Sequence, residues 1–261
     1  MKWKATYAVL VLGLSAGIPL SQHHDPEPLS LVVNVPASRL DVWRAGRSIR
    51  SYGVAVGAPA FPTPIGEFTI TEITWNPWWL PPQSKWAEDR KPEPPGENNP
   101  MGVVKLRFAD LYFVHGTADV RSVGHAASHG CVRLSNSDAV ELARTVQEAV
   151  GPHFTAEQID SILGPRRRTR AVTLSAPIAL RIVYERIEAT DSVLLLHPDP
   201  YRRGTPTLAQ AMTLLRPVLA SDVEVDSSRL ASLLALPVAR TVVIPVHTIT
   251  RRTDAPPQRK P

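Results

Sequence analysis

At 29–36 and again at 39–43 apolar and polar side chains fall in near alternation, the period of a pleated strand with one buried face. LSLVVNVP at 29–36 and RLDVW at 39–43 are predicted as two strands joined by a turn at 36–38. RAGRS at 44–48 is the next turn and IRSYGVAV at 49–56 the next strand. In GAPAFPTPIGEFTITEIT, Pro62, Pro64 and Gly66 break the chain before a β-branched run at 68–74. The first third is therefore committed to β-structure.

Residues 76–102 read as a long loop dense in proline, with Trp78, Trp79 and Trp86 inside it and Trp75 just ahead. A loop of this length in a compact domain is either a lid or a surface excursion whose tryptophans pack back on the sheet. VVKLRF at 103–108 and LYFVHG at 111–116 are two further strands, the second ending near His115. LSNSDAVELARTVQEAVGP opens with capping residues, repeats apolar positions at helical spacing and stops at Gly151 and Pro152, so it predicts a helix. TPTLAQAMTLLRP and DSSRLASLLALP predict two short amphipathic helices and ARTVVIPVHTI a strand, either a small subdomain or cover for a sheet edge. The class is mainly β with a few helices.

At 261 residues the chain can bury a full core without disulfides or metal. Lys2 and Lys4 precede an apolar run over about 5–20, the layout of a secretory signal or a marginal membrane anchor, short of a full span of roughly 20 apolar residues. The expected location is outside the cytoplasm, in the periplasm or cell envelope. The formal charge of +5 leans on 166–168 and on the C-terminal tail, and no helix-turn-helix, zinc spacing or RNA-binding signature accompanies it. No nucleic-acid partner is expected.

Cys131 is the one cysteine, so it forms no intramolecular disulfide, and in an exported protein a leftover thiol is paired between chains or free and reactive. Its neighbours in SHGCVRL are poor company for a core. It is predicted on a short connection just before a helix start, where the helix dipole favours a negative sulfur. An imidazole close by lowers a thiol's pKa further, and His115, arriving from a separate strand end, is the better base than His129. The backbone N–H groups of Gly130 and Cys131 are candidate oxyanion donors. Arg133, two residues on, either holds a substrate carboxylate or pairs with a helix acid such as Asp138. His125 is read as a loop residue. The His-x-Cys spacing does not suit a metal, and no cofactor is called for.

VHGTADVRSVGHAASHGCVRLSN resembles the active-site segment of the L,D-transpeptidases of the YkuD type, with twelve residues between His115 and Ser128. FPTPIGEFTI at 61–70 and PPGENNPMG at 94–102 are similar to two further motifs of that family, and 177–201 looks like the strands that often follow. The resemblance implies a β-sandwich-like catalytic domain over 29–201, with its core at 29–155, behind a signal or anchor at 1–22 and ahead of an extension at 202–261. It also implies transfer of a peptidoglycan stem peptide, with loss of a terminal D-alanine, to an amine such as a second stem or a lipoprotein lysine. Position by position, it makes Cys131 the nucleophile and His115 the base, with the carbonyl of Gly116 orienting that base and Ser128, His129 and Gly130 shaping the pocket. The alternatives are an L,D-carboxypeptidase, another cysteine amidase or peptidase of the wall, or a non-catalytic wall-binding protein.

Overall fold

A computed structural model describes residues 28–164 and 168–252; the segment read as a signal or anchor and the end of the basic tail lie outside them. Strands β1 (Ser30–Asn34), β2 (Arg39–Arg44) and β3 (Arg47–Gly53) form a meander, followed by the short β4 (Val56–Gly57) and the long β5 (Gly66–Trp75). After the proline-rich loop come β6 (Val104–Ala109), β7 (Tyr112–Thr117), β8 (Ala126–Ser128) and β9 (Val132–Ser135). Helix α1 (Asn136–Val150) starts directly after β9, capped by Ser135, whose hydroxyl accepts from the Asp138 N–H. Then follow α2 (Ala156–Leu163) and the 14-residue β10 (Arg170–Val183).

Eight strands make one sheet in the order β3-β2-β1-β10-β5-β6-β7-β9. β10 runs through its middle, parallel to β1 and antiparallel to β5, so the core is not complete at residue 155. Alternation explains the burial: Val104, Leu106 and Phe108 of β6 are buried, while Lys105 and Arg107 project from the other face. Ala139, Leu142, Ala143 and Val146 of α1 join the same apolar cluster as Val114, Val132 and Leu134. Trp75 is wholly buried there, and its indole N–H donates to Gln147 Oε1 on α1 at 3.0 Å. Losing that acceptor would leave a buried donor unsatisfied, a cost of about 1–3 kcal/mol.

The remaining residues build a second core. β11 (Ile187–Ala189), β12 (Val193–Leu196) and β14 (Val242–Pro245) pair antiparallel, under α3 (Leu208–Leu215) and α4 (Ser227–Leu234). β13 (Val223–Val225) pairs with β15 (Thr250–Arg252). The two helices and the strand expected beyond residue 202 are present, and they form a subdomain. The strands at 187–196, expected with the first unit, bury Leu194 and Leu196 in this second core, which places the change of core near residue 185.

Candidate active site

β7 and β9 are parallel neighbours with Val114 opposite Val132 and His115 opposite Arg133. On the other side of β7, Lys105 of β6 is opposite His115. Directly opposed residues share a face, so Lys105, His115 and Arg133 stand in one row, away from the α1 face that takes Val114 and Leu134. Cys131 enters just ahead of β9, two residues before Arg133.

His115 is 2% exposed, and its Nδ1 lies 2.7 Å from the Gly116 carbonyl oxygen. A carbonyl only accepts, so Nδ1 carries the hydrogen and Nε2 is left as the basic nitrogen. Burial, with the charges of Arg133 and Lys105 adding to it, pulls the imidazole down to about 4. At neutral pH the ring is an uncharged base. Gly116 is required for a second reason: a Cβ there would lie 2.3 Å from Asn136 Oδ1. Asn136 accepts the Val103 N–H at 3.2 Å and donates to the Glu97 carbonyl at 3.2 Å, tying the long loop to the start of α1.

Cys131 is half-buried, and its thiol donates weakly to the Leu111 carbonyl at 3.7 Å. Burial pushes the thiol above the ordinary range, while the Phe113 N–H, Arg133 and Lys105 pull the other way without prevailing. The helix dipole expected to favour a charged sulfur does not reach it. Four residues of β9 separate Cys131 from α1, and the dipole fades within the first helical turn. Burial thus favours the uncharged form of both the thiol and the imidazole.

Ser128 and Gly130 hold the turn. The Ser128 hydroxyl donates to the Cys131 carbonyl at 2.5 Å and accepts the Gly130 N–H at 3.0 Å. The Gly130 N–H is thus engaged and is not the expected oxyanion donor; the Cys131 N–H has no partner among the described residues. Gly130 has φ +104, and a Cβ would meet the Tyr112 ring at 2.8 Å, so only glycine fits beside Cys131. Thr63 of the FPTPIGEFTI segment supports the turn from below: it accepts the Gly57 N–H at 2.8 Å, and Gly57 pairs with Ser128.

His129 is exposed and lies between two rings, stacked on Trp86 at 4.0 Å and tilted against Phe61 at 4.7 Å. In the loop at 76–102 Trp79 is buried beside Trp86 of the same loop, outside the apolar cluster of the sheet, and Trp86 stacks on His129 at the rim of the site. Buried Asn99 holds its fold, donating to the Glu93 and Pro94 carbonyls and accepting the Met101 N–H. Arg133 makes no ion pair with Asp138 or with any other acid within 4 Å among the described residues, and its Nε is buried without a partner. His125 is exposed in the loop before β8. Lys105, Trp86 and Asn136 were not foreseen; the sole signal for Lys105 was its place two strands from Cys131, which a sequence pattern does not give.

Residues 28–171 match the family model of the L,D-transpeptidase catalytic domain, YkuD. YkuD of Bacillus licheniformis, an L,D-transpeptidase by name, is 31% identical over 135 residues, covering 51% of this chain and 70% of that protein. Its namesake in Bacillus subtilis is 30% identical over 142 residues, covering 52% and 74%. For the L,D-transpeptidase YbiS of Escherichia coli the values are 31% over 144 residues, 52% of this chain but only 47% of the relative. The solved catalytic domain from the E. faecium enzyme aligns over 60% of this chain and 98% of its own at 13% identity and a TM-score of 0.39. Most of β10 lies beyond the matched residues.

Proposed function

Since this chain belongs to the YkuD family of L,D-transpeptidase catalytic domains, we propose that it transfers peptidoglycan stem peptides through a thioester on Cys131. The observation that carries the chemistry is the fixed tautomer of His115, which leaves an uncharged basic nitrogen on the face shared with Arg133 and flanked by Cys131. As Cys131 sulfur attacks the carbonyl of the donor peptide, its proton passes to His115 Nε2, and the carbonyl oxygen takes negative charge toward the Cys131 N–H. Collapse breaks the C–N bond, and His115 returns the proton to the departing amine of the terminal residue. An acceptor amine then attacks the thioester, gives its proton to His115, and releases the sulfur, which recovers that proton.

General acid–base help of this kind is worth on the order of 10²–10⁴ in rate, and an oxyanion donor about 10²–10³. Arg133 holds a buried Nε with no partner among the described residues and makes no ion pair among them, which supports its receiving a carboxylate of the donor. The acceptor is an amine of a second stem or of a lipoprotein lysine, with water giving the carboxypeptidase reaction. The N-terminal run supports an exported protein, in the periplasm or bound to the envelope. Cell fractionation with detection of the mature mass tests that placement.

The deciding experiment incubates the full chain with purified muropeptides and reads the products by mass spectrometry. The expected result is loss of the terminal residue with formation of cross-linked or amine-capped products, absent with Cys131→Ser. Cleavage at another amide would make the protein an amidase, and unchanged substrate would leave it without the transfer activity.

A further inference from the structure

VVKLRF presents Lys105 and Arg107 on the face opposite the apolar Val104, Leu106 and Phe108, as any half-buried strand would. Lys105 is not a solvated surface lysine, however. It is half-buried, opposite His115 in the ladder, and its Nζ sits 4.4 Å from the centroid of the Phe113 ring. Phe113 lies two residues before His115 on the same face of β7. No carboxylate reaches Lys105 within ion-pair distance among the described residues. The nearest acid on the neighbouring strand β5, Glu72, accepts the Thr74 hydroxyl at 3.2 Å instead.

We propose that Lys105 is a positioning residue of the transfer reaction, its ammonium supplying a fixed positive charge that opposes a proton on His115 and favours negative charge on the Cys131 sulfur. The row places cations on both sides of the base, Lys105 from β6 and Arg133 from β9, with the sulfur ahead of Arg133. Such charge without a counter-anion is costly to keep half-buried, and it is relieved when sulfur or the attacked carbonyl becomes anionic. The titratable and charged groups of this row and around it are Glu72 on β5, Arg107 on β6, His115 on β7, Arg133 on β9, Asp119 after β7 and His129 at the rim. Lys105 and Arg133 both hold His115 down and draw the thiol down, and burial draws Lys105 itself below the usual lysine range.

The inference rests on the reading of Cys131 and His115 as nucleophile and base, and its test is independent of turnover. Because Cys131 is the one cysteine, the rate of its alkylation by iodoacetamide across pH reports one group. In the full chain, Lys105→Met, which keeps the stem over Phe113, and Lys105→Gln should move the half-point of that profile up by roughly 0.5–1 pH unit, the scale of one half-buried charge several ångströms away. Lys105→Arg should restore the wild-type profile, and the His115 ring, followed by NMR, should titrate higher in the Met and Gln variants. A residue that merely packed would lower the melting temperature and leave both titrations in place, and that result overturns the proposal. Absence of muropeptide transfer by the wild-type chain would sink the proposed reaction while leaving the alkylation result to decide the role of Lys105.

Discussion

Two polar clusters in this molecule each set a histidine beside an arginine, and they are balanced in opposite ways. At the seam between the cores, Arg39 reaches Asp41 at 2.8 Å and Glu188 at 2.9 Å, while Asn34 donates to Glu188 at 2.7 Å. His197 Nε2 lies 3.3 Å from the same carboxylate, off the line of a good hydrogen bond. Although burial opposes it, these partners hold Glu188 down at about 2. In the Lys105–His115–Arg133 row there are two cations, a neutral imidazole, and no acid within ion-pair distance among the described residues. A cluster that only ties elements together is neutralised internally, whereas one that waits for charge to form is left unbalanced.

The contrast breaks most visibly by substitution. Removing the nucleophile or the base should remove turnover and spare the fold: Cys131→Ser should be inactive, His115→Ala should lose on the order of 10²–10⁴ in rate, and exposed His125→Ala should lose little. Equal losses at the two histidines would contradict the assignment. Glu188→Gln should do the reverse, costing about 3 kcal/mol, the order set by a carboxyl held down at about 2. Activity per folded molecule should survive, as chemical denaturation beside initial rates would reveal. Arg133→Lys ranks third: a point charge replaces a fork, so KM should rise several-fold with kcat less affected. Lost thermal stability with normal kinetics would assign Arg133 to the fold.

The two clusters also differ in acid sensitivity. His115 takes up a proton at about 4 in the folded protein but at roughly 6.5 when unfolded, so the unfolded chain binds more protons between those values and stability falls as pH drops through them. Glu188 is a depressed carboxyl, and its stabilisation, present above the unfolded value of roughly 4.3, is lost as pH falls toward about 2. Melting temperatures from pH 7 downward, in His115→Gln and Glu188→Gln, should each lose one of these windows.

Much of this was legible in the sequence because it is local. The strands announce themselves by alternation, α1 by its spacing and the Ser135 cap, and the delivery of His115 on a strand separate from the Cys131 turn by the LYFVHG run. The orientation of His115 by the Gly116 carbonyl followed from the family resemblance and matches the geometry. What was not legible depends on register and depth. That β9 intervenes between Cys131 and α1, that the Gly130 N–H is taken by Ser128, and that Lys105 flanks the base are consequences of which strands become neighbours. The α2 helix went unread although Thr155 and Gln158 form a capping box, because its eight residues span little more than two turns and repeat the apolar spacing too briefly to stand out. The second core begins before its helices, since Leu194 and Leu196 alternate like any strand and nothing local says which sheet they join.

The central claim is that the resting enzyme holds a neutral thiol beside a neutral imidazole, and that the surrounding cations act only when negative charge forms. Thiolate absorbance in the ultraviolet, recorded against pH for the wild-type chain and corrected with Cys131→Ser, reads this state directly because there is one cysteine to titrate. The account predicts no thiolate signal at neutral pH and a half-point above the ordinary thiol range, in keeping with burial of Cys131. A thiolate already present near pH 6, disappearing together with protonation changes at His115, would show a preformed ion pair and contradict it.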